Sequence, residues 1–211
     1  MSSSTFDRWL HNPATGEVVC FRPIRGQTLE GDLWLQPGAA VASAHIHDRL
    51  VERFEVLAGE VGLQVGRERR LARAGDAVIE VPAHTLHDWW NAGDGIAHVR
   101  LEVVGEPVAR FIEMIEVVFA LGALERVNAK GMPDALWLSA IAREYRDVIR
   151  LPSPAAALLS LLAGLSRLAG RDPRAPGLHG PDAPCAIPAP SADELARLLG
   201  RPVGTSAARG H

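Results

Sequence analysis

Ala44-His45-Ile46-His47-Asp48-Arg49-Leu50-Val51-Glu52 is the stretch that decides the fold, read together with Pro82-Ala83-His84-Thr85-Leu86-His87-Asp88-Trp89-Trp90-Asn91. Residues two apart in a strand point to one face, so His45 and His47 can enter the same interior. Asp48 to Leu50 give the chain room to turn, and Glu52 returns on the next strand facing the same way. His87 follows forty residues after His47. Three imidazoles and one carboxylate are a donor set for a divalent transition metal. The competing reading is a set of ordinary barrel residues that hold no ion. Left empty, such a cluster would bury polar groups that then need other partners.

Alternation extends the reading outward from these four residues. Phe54 and Val56 share the face of Glu52, and Trp89 shares the face of His87, so all three are expected to line the interior near the cluster. Trp34 is expected to join them. For each, plain core packing competes with substrate contact. His98 and Arg100 share one face of a later strand; they either line the pocket or form an outward polar face beside inward Ala97, Val99 and Leu101. Glu55 and Trp90 alternate away from the interior. His84 is read as a loop residue in preference to a base behind the ligands.

Two spaced motifs carry a family resemblance. The first is Gly38-x6-His45-x-His47-x4-Glu52-x6-Gly59, and the second is Gly75-x6-Pro82-x-His84-x2-His87-x3-Asn91. Together they resemble the two conserved motifs of the cupin superfamily. The first spacer is one residue longer than the usual pattern, and His84 stands where a glycine is usual. Neither departure touches the four ligand positions. The resemblance covers roughly residues 15–105. It implies a mainly β fold, a double-stranded β-helix or jelly-roll barrel closing around the metal.

The rest of the chain supports one such domain with additions. From Glu17 to Gly105 short apolar segments alternate with glycine turns: Glu17–Ile24, Leu29–Gln36, Val41–His47, Val51–Leu57, Val61–Val65, Ala77–Val81, Leu86–Asn91 and Ile96–Val104. The period then changes from 2 to 3.6. Phe111, Met114, Ile115, Val118 and Leu121 predict a helix from Val108 to about Leu124. Pro133 and Pro154 open two more, the last rich in leucine from Leu158 to Leu168. That helix must bury its apolar surface against the barrel or another subunit. Ser191 to Glu194 is a capping-box signature that opens a short final helix. The expected organisation is an N-terminal arm at 1–14, the barrel at 15–106, a helical extension at 107–170 and a tail at 171–211. Six prolines between Arg171 and Pro190 make that tail extended in expectation.

Composition bounds the function. The chain has 211 residues, 47% of them hydrophobic, enough for one sizeable core. A formal charge of -3 with no basic stripe argues against nucleic acid. Cys20 and Cys185 lie far apart and form no metal-type pair. The opening MSSSTFDRWLHNPATGE has no apolar core of a signal peptide, so a cytoplasmic location and no membrane partner are expected. A small-molecule substrate and a second copy, giving a homodimer, are the expected partners; dimers are common among cupins.

The expected cofactor is one divalent transition metal held by His45, His47, Glu52 and His87. Iron is favoured, and Mn, Ni, Co, Cu and Zn fit the same donors. Resemblance to quercetin-dioxygenase-like cupins implies a metal-dependent oxygenase for a small apolar or aromatic oxygen-bearing substrate. Glu52 would be the catalytic residue, accepting a substrate proton. A non-redox isomerase or cyclase, and a small-molecule-binding cupin without turnover, use the same residues and stay open.

Overall fold

The computed structural model describes residues 7–40, 44–128 and 131–200. Its centre is two facing antiparallel sheets. The larger runs from edge to edge as Ala186–Ile187, Arg8–Asn12, Glu17–Phe21, Thr28–Leu35, Ala97–Gly105, Leu50–Ala58 and Ile79–Val81, and the smaller as Glu68–Arg73, Glu60–Val65 and His87–Asn91. The elements in chain order are β1 (Arg8–Asn12), β2 (Glu17–Phe21), β3 (Thr28–Leu35), β4 (Leu50–Ala58), β5 (Glu60–Val65), β6 (Glu68–Arg73), β7 (Ile79–Val81), β8 (His87–Asn91) and β9 (Ala97–Gly105). Then follow α1 (Val108–Ala123), α2 (Ala135–Glu144), α3 (Ala155–Leu168), β10 (Ala186–Ile187) and α4 (Ala192–Leu198). The long neighbours β4 and β9 alternate strictly, with Glu52, Phe54 and Val56 inward opposite Val103, Leu101 and Val99. Period-2 patterning therefore closes the expected jelly-roll core, and the helices follow it in sequence.

Turns sit where the glycines predict. Gly59 adopts φ +81°, and a Cβ there would press on the Ala97 backbone at 2.8 Å, so the tight β4–β5 turn requires glycine. Buried Asn91 fastens two loops. Its amide donates to the carbonyls of Leu35 (3.0 Å) and Gly95 (2.7 Å), and its oxygen accepts from Gly93 (2.9 Å).

Three expectations change. The arm contains a strand, because Arg8–Asn12 pairs along the whole of β2. The proline-rich tail is packed against the domain. Leu178, Ala183 and Cys185 are buried, and β10 pairs with the outer edge of β1. Both changes also converge on one residue. Glu116 on α1 is buried and needs partners; it pairs with Arg8 from one end of the chain and accepts from the Gly180 amide (2.9 Å) at the other. Proline content hid this, since side-chain burial at three isolated positions leaves no periodic trace. The third change is the strand expected at Val41–His47. Residues 41–43 lie outside the described set, and His45 and Ile46 make single bridges where a ladder was expected. The final helix has the predicted capping box between Ser191 and Glu194.

The β1–β2 hairpin yields two tests. A Cβ on Gly122 of α1 would collide with Asn12 Oδ1 at the end of β1. Helix propensity alone favours Gly122→Ala by about 1 kcal/mol. Overpacking outweighs it, so the variant should lose about 1–2 kcal/mol in urea unfolding; a gain in stability would show that β1 does not pack there. Next in the hairpin, Glu17 is buried and accepts from the Thr15 hydroxyl (3.0 Å). Burial pushes its carboxyl up from 4.5 to about 7. The folded state thus binds this proton more tightly than the unfolded chain. The resulting stability is complete below about pH 4.5 and gone once pH rises through about 7. The difference is about 3 kcal/mol. Glu17→Gln should flatten that slope and be the more stable form at pH 8; an unchanged slope would refute the assignment.

Candidate metal centre

His45 and His47 stand on a short extended segment between β3 and β4. His45 exchanges two backbone hydrogen bonds with His87 at the start of β8, both 2.9 Å. Ile46 exchanges two with Arg150, both 2.8 Å, on the other side. The segment is therefore clamped between a barrel strand and the chain that follows α2. The His84 amide also donates to the His47 carbonyl at 2.7 Å. Pleating then sends His45 and His47 to one side, where Glu52 from β4 and His87 meet them.

All four side chains are buried. One donor atom from each lies within 4.8 Å of every other. His45 Nε2 is 3.2 Å from His47 Nε2, His87 Nε2 is 2.8 Å from Glu52 Oε2, and His47 Nε2 is 3.5 Å from Glu52 Oε1. Donors placed about 2.1 Å from a common ion would be roughly 3–4 Å apart, so the cluster fits a divalent metal.

Hydrogen bonds behind the rings set the tautomers. His47 Nδ1 lies 2.5 Å from the Val148 carbonyl, and His87 Nδ1 lies 2.9 Å from the Thr85 carbonyl. A carbonyl only accepts, so both Nδ1 atoms carry a proton; both Nε2 atoms then face the cluster, donating to Glu52 when protonated and free to ligate when not. This is the arrangement of a ligating histidine oriented from behind. Burial alone would raise the Glu52 carboxyl, but hydrogen bonds and charge from His47 and His87 hold it well below the usual carboxylate range. Burial would lower His47, and Glu52 more than reverses that, so the imidazole is raised.

Phe54 and Trp89 are buried on the same side with ring centroids 5.0 Å apart, and Val56 is buried beside them in sequence alternation. The other three expected pocket residues are elsewhere. Leu33 and Leu35 take the inward positions of β3, which turns Trp34 to the outer face. There it stacks on His98 (4.5 Å) and on Trp9 (5.7 Å). His98 Nε2 reaches Asp32 at 3.1 Å, and Arg100 pairs with Glu55 at 3.2 Å. Alternation in β9 gives the reason: Ala97, Val99 and Leu101 are inward, so His98 and Arg100 cannot be. His84 is on an exposed turn at φ +63°, paired with Asp48 at 3.4 Å. That left-handed conformation suits glycine, which explains why the position is unusual for a histidine.

Two contributors were not read from the sequence as parts of the site. Phe111 of α1 lies 6.0 Å from the His47 ring; its periodic signal marked it as core only. Val148 acts through a backbone carbonyl 101 residues away, which leaves no signal in residue type. Cys20 and Cys185 take no part: both are buried, and burial pushes their thiols up to about 12 and about 11.

Residues 33–104 match the cupin domain family. Solved structures similar to the chain include a RmlC-like cupin from Shewanella frigidimarina NCIMB 400, 17% identical, covering 49% of this chain and 87% of that one with a TM-score of 0.42. Another is a sugar phosphate isomerase from a cupin superfamily of Silicibacter pomeroyi DSS-3, 22% identical over 46% of this chain and 64% of that one, with a TM-score of 0.40. The cupin domain of Schizosaccharomyces pombe Cnp3 is 14% identical over 44% and 69%, with a TM-score of 0.37. No curated protein matches the chain. The cluster of His45, His47, Glu52 and His87, inside the matched stretch, is one that can hold a divalent metal. Among the described residues no helix is long and apolar enough to cross a membrane.

Removing one ligand should cost more than the 10–100-fold in metal affinity typical of residues behind a ligand, so His47→Ala or His87→Ala should lose most bound metal. Elemental analysis beside a thermal melt checks this, with the barrel expected to stay folded. Full metal occupancy in both variants would refute the site.

Proposed function

We propose that this cupin is a metal-dependent oxygenase of the quercetin-dioxygenase type, acting on a small apolar or aromatic substrate that bears oxygen donors. One observation carries the reading. The donor cluster lies among apolar and aromatic side chains (Phe54, Val56, Trp89, Phe111), and no lysine or arginine is buried among the described residues. A phosphate-bearing substrate would need such cations at the site; a flavonol, catechol or diketone would not.

A divalent ion held by His45, His47, Glu52 and His87 would supply Lewis-acid polarisation of a substrate oxygen and, for iron or another redox metal, reaction with dioxygen. The protein's own residues do the rest. The Val148 and Thr85 carbonyls keep His47 and His87 in one tautomer and one orientation. Phe54, Val56 and Trp89 make the barrel interior on the side of Glu52 and His87 apolar, which suits an apolar ring better than a charged one. Glu52 is the carboxylate at the cluster; the His47 and His87 contacts that hold it ionised also weaken it as a base, so it accepts a proton from a substrate hydroxyl only once those imidazoles are engaged by the ion.

Protein loaded anaerobically with Fe(II) should consume dioxygen on addition of a flavonol, catechol or diketone. Glu52→Gln should lower kcat by about 10²–10⁴-fold in preparations matched for metal content. Turnover that persists with zinc and without dioxygen would replace this reading with a non-redox isomerase or cyclase. Stable binding with no product on long incubation would replace it with a small-molecule-binding cupin.

A further inference from the structure

The leucine-rich helix remains without a partner on one side. α3 rests on α2 through its other face: the Leu159 carbonyl accepts from Ser139 (2.7 Å), and the Ala163 carbonyl accepts from Arg143 (2.9 Å). The solvent side carries Leu158, Leu161, Leu165 and Leu168, which are 59%, 79%, 55% and 87% exposed. Their spacing is three, four, three, the a/d seam of a helix that packs against another helix. The flanking positions Ala157, Leu162, Gly164 and Ala169 bear no charge. Gly164 is notable, because a Cβ there would meet no atom within 4 Å. A glycine inside a helix disfavours it, and nothing among the described residues uses the space.

We propose that α3 is the contact surface of a homodimer, in which two copies pair their α3 helices antiparallel about a two-fold axis. Leu158 then meets Leu168 of the second copy, and Leu161 meets its Leu165. The seam is self-complementary, as an isologous contact must be. Ala157 and Gly164 let the helices approach closely. Antiparallel pairing opposes the two helix dipoles and separates the two Arg167 side chains, whereas parallel pairing aligns both. A different protein partner would be selected by charges flanking the seam, and there are none. A lipid surface would be met by a helix with a cationic polar face, but here that face is committed to α2. Two such helices bury on the order of 1,000 Å², the lower edge of specific interfaces, so the dimer is concentration-dependent.

Sedimentation of the full chain from micromolar to millimolar concentration should show a monomer–dimer equilibrium that stops at two copies. Leu161→Glu with Leu165→Glu should raise the dissociation constant by at least about a hundredfold while leaving the melting curve and metal content unchanged. Gly164→Glu, which touches no leucine, should also weaken the dimer. Orientation is read by oxidative cross-linking: Leu158→Cys mixed with Leu168→Cys should form the mixed disulfide, and neither variant alone should cross-link. Both native cysteines are buried and do not interfere. A monomer at every concentration, assembly that continues beyond two copies, a dimer indifferent to the glutamates, or cross-linking of Leu158→Cys with itself would each overturn the proposal.

Discussion

Three imidazole nitrogens and a carboxylate aimed at one another inside apolar walls are the constraint on which this structure turns. Two imidazole nitrogens 3.2 Å apart need a proton or a cation between them, and a fully buried carboxylate is costly unless paired. The arrangement is favourable only when a cation or shared protons lie between the donors. Around it the protein spends its firmest local contacts. β4 and β9 supply the inward wall, two backbone carbonyls hold the rings from behind, and Asn91 ties the loops that flank β8. The two carbonyls behind the rings do not serve fold stability alone, since an apolar core of the same volume would fold without them.

The outer faces of the same strands follow a different logic. Trp34, His98, Asp32 and Arg100 form a stacked and ion-paired layer that touches solvent. Asp32 is deeply shielded yet held below the usual carboxylate range, since hydrogen bonds from His98 and Arg22 outweigh its burial. A polar outer layer of this kind lets β1 and β3 carry Trp9 and Trp34 outside the core without leaving them bare.

The ligand set and the β-rich fold were legible because both are periodic: two-residue alternation places His45 with His47, and Glu52 with Phe54 and Val56. Trp34, His98 and Arg100 were misplaced or left open for a related reason. Alternation says which residues share a face, but which face is inward must be settled by neighbours, and Leu33 and Leu35 settle it for β3. The arm and tail were illegible because the contacts that order them are distant in sequence. Glu116 recruits Arg8 and Gly180 from opposite ends of the chain, and no window of sequence contains all three.

The pairing of Ile46 with Arg150 has a wider consequence. A ligand-bearing segment that borrows half of its backbone partners from far downstream has no complete architecture until the helices are in place. The residues that would grip the ion and the chain that orders them belong to one cooperative unit, although a hundred positions separate them in sequence. Shortening, splicing or swapping the helical region would therefore be felt at the heart of the barrel, where the coordinating rings would lose their bearings before the strands lost their pairing.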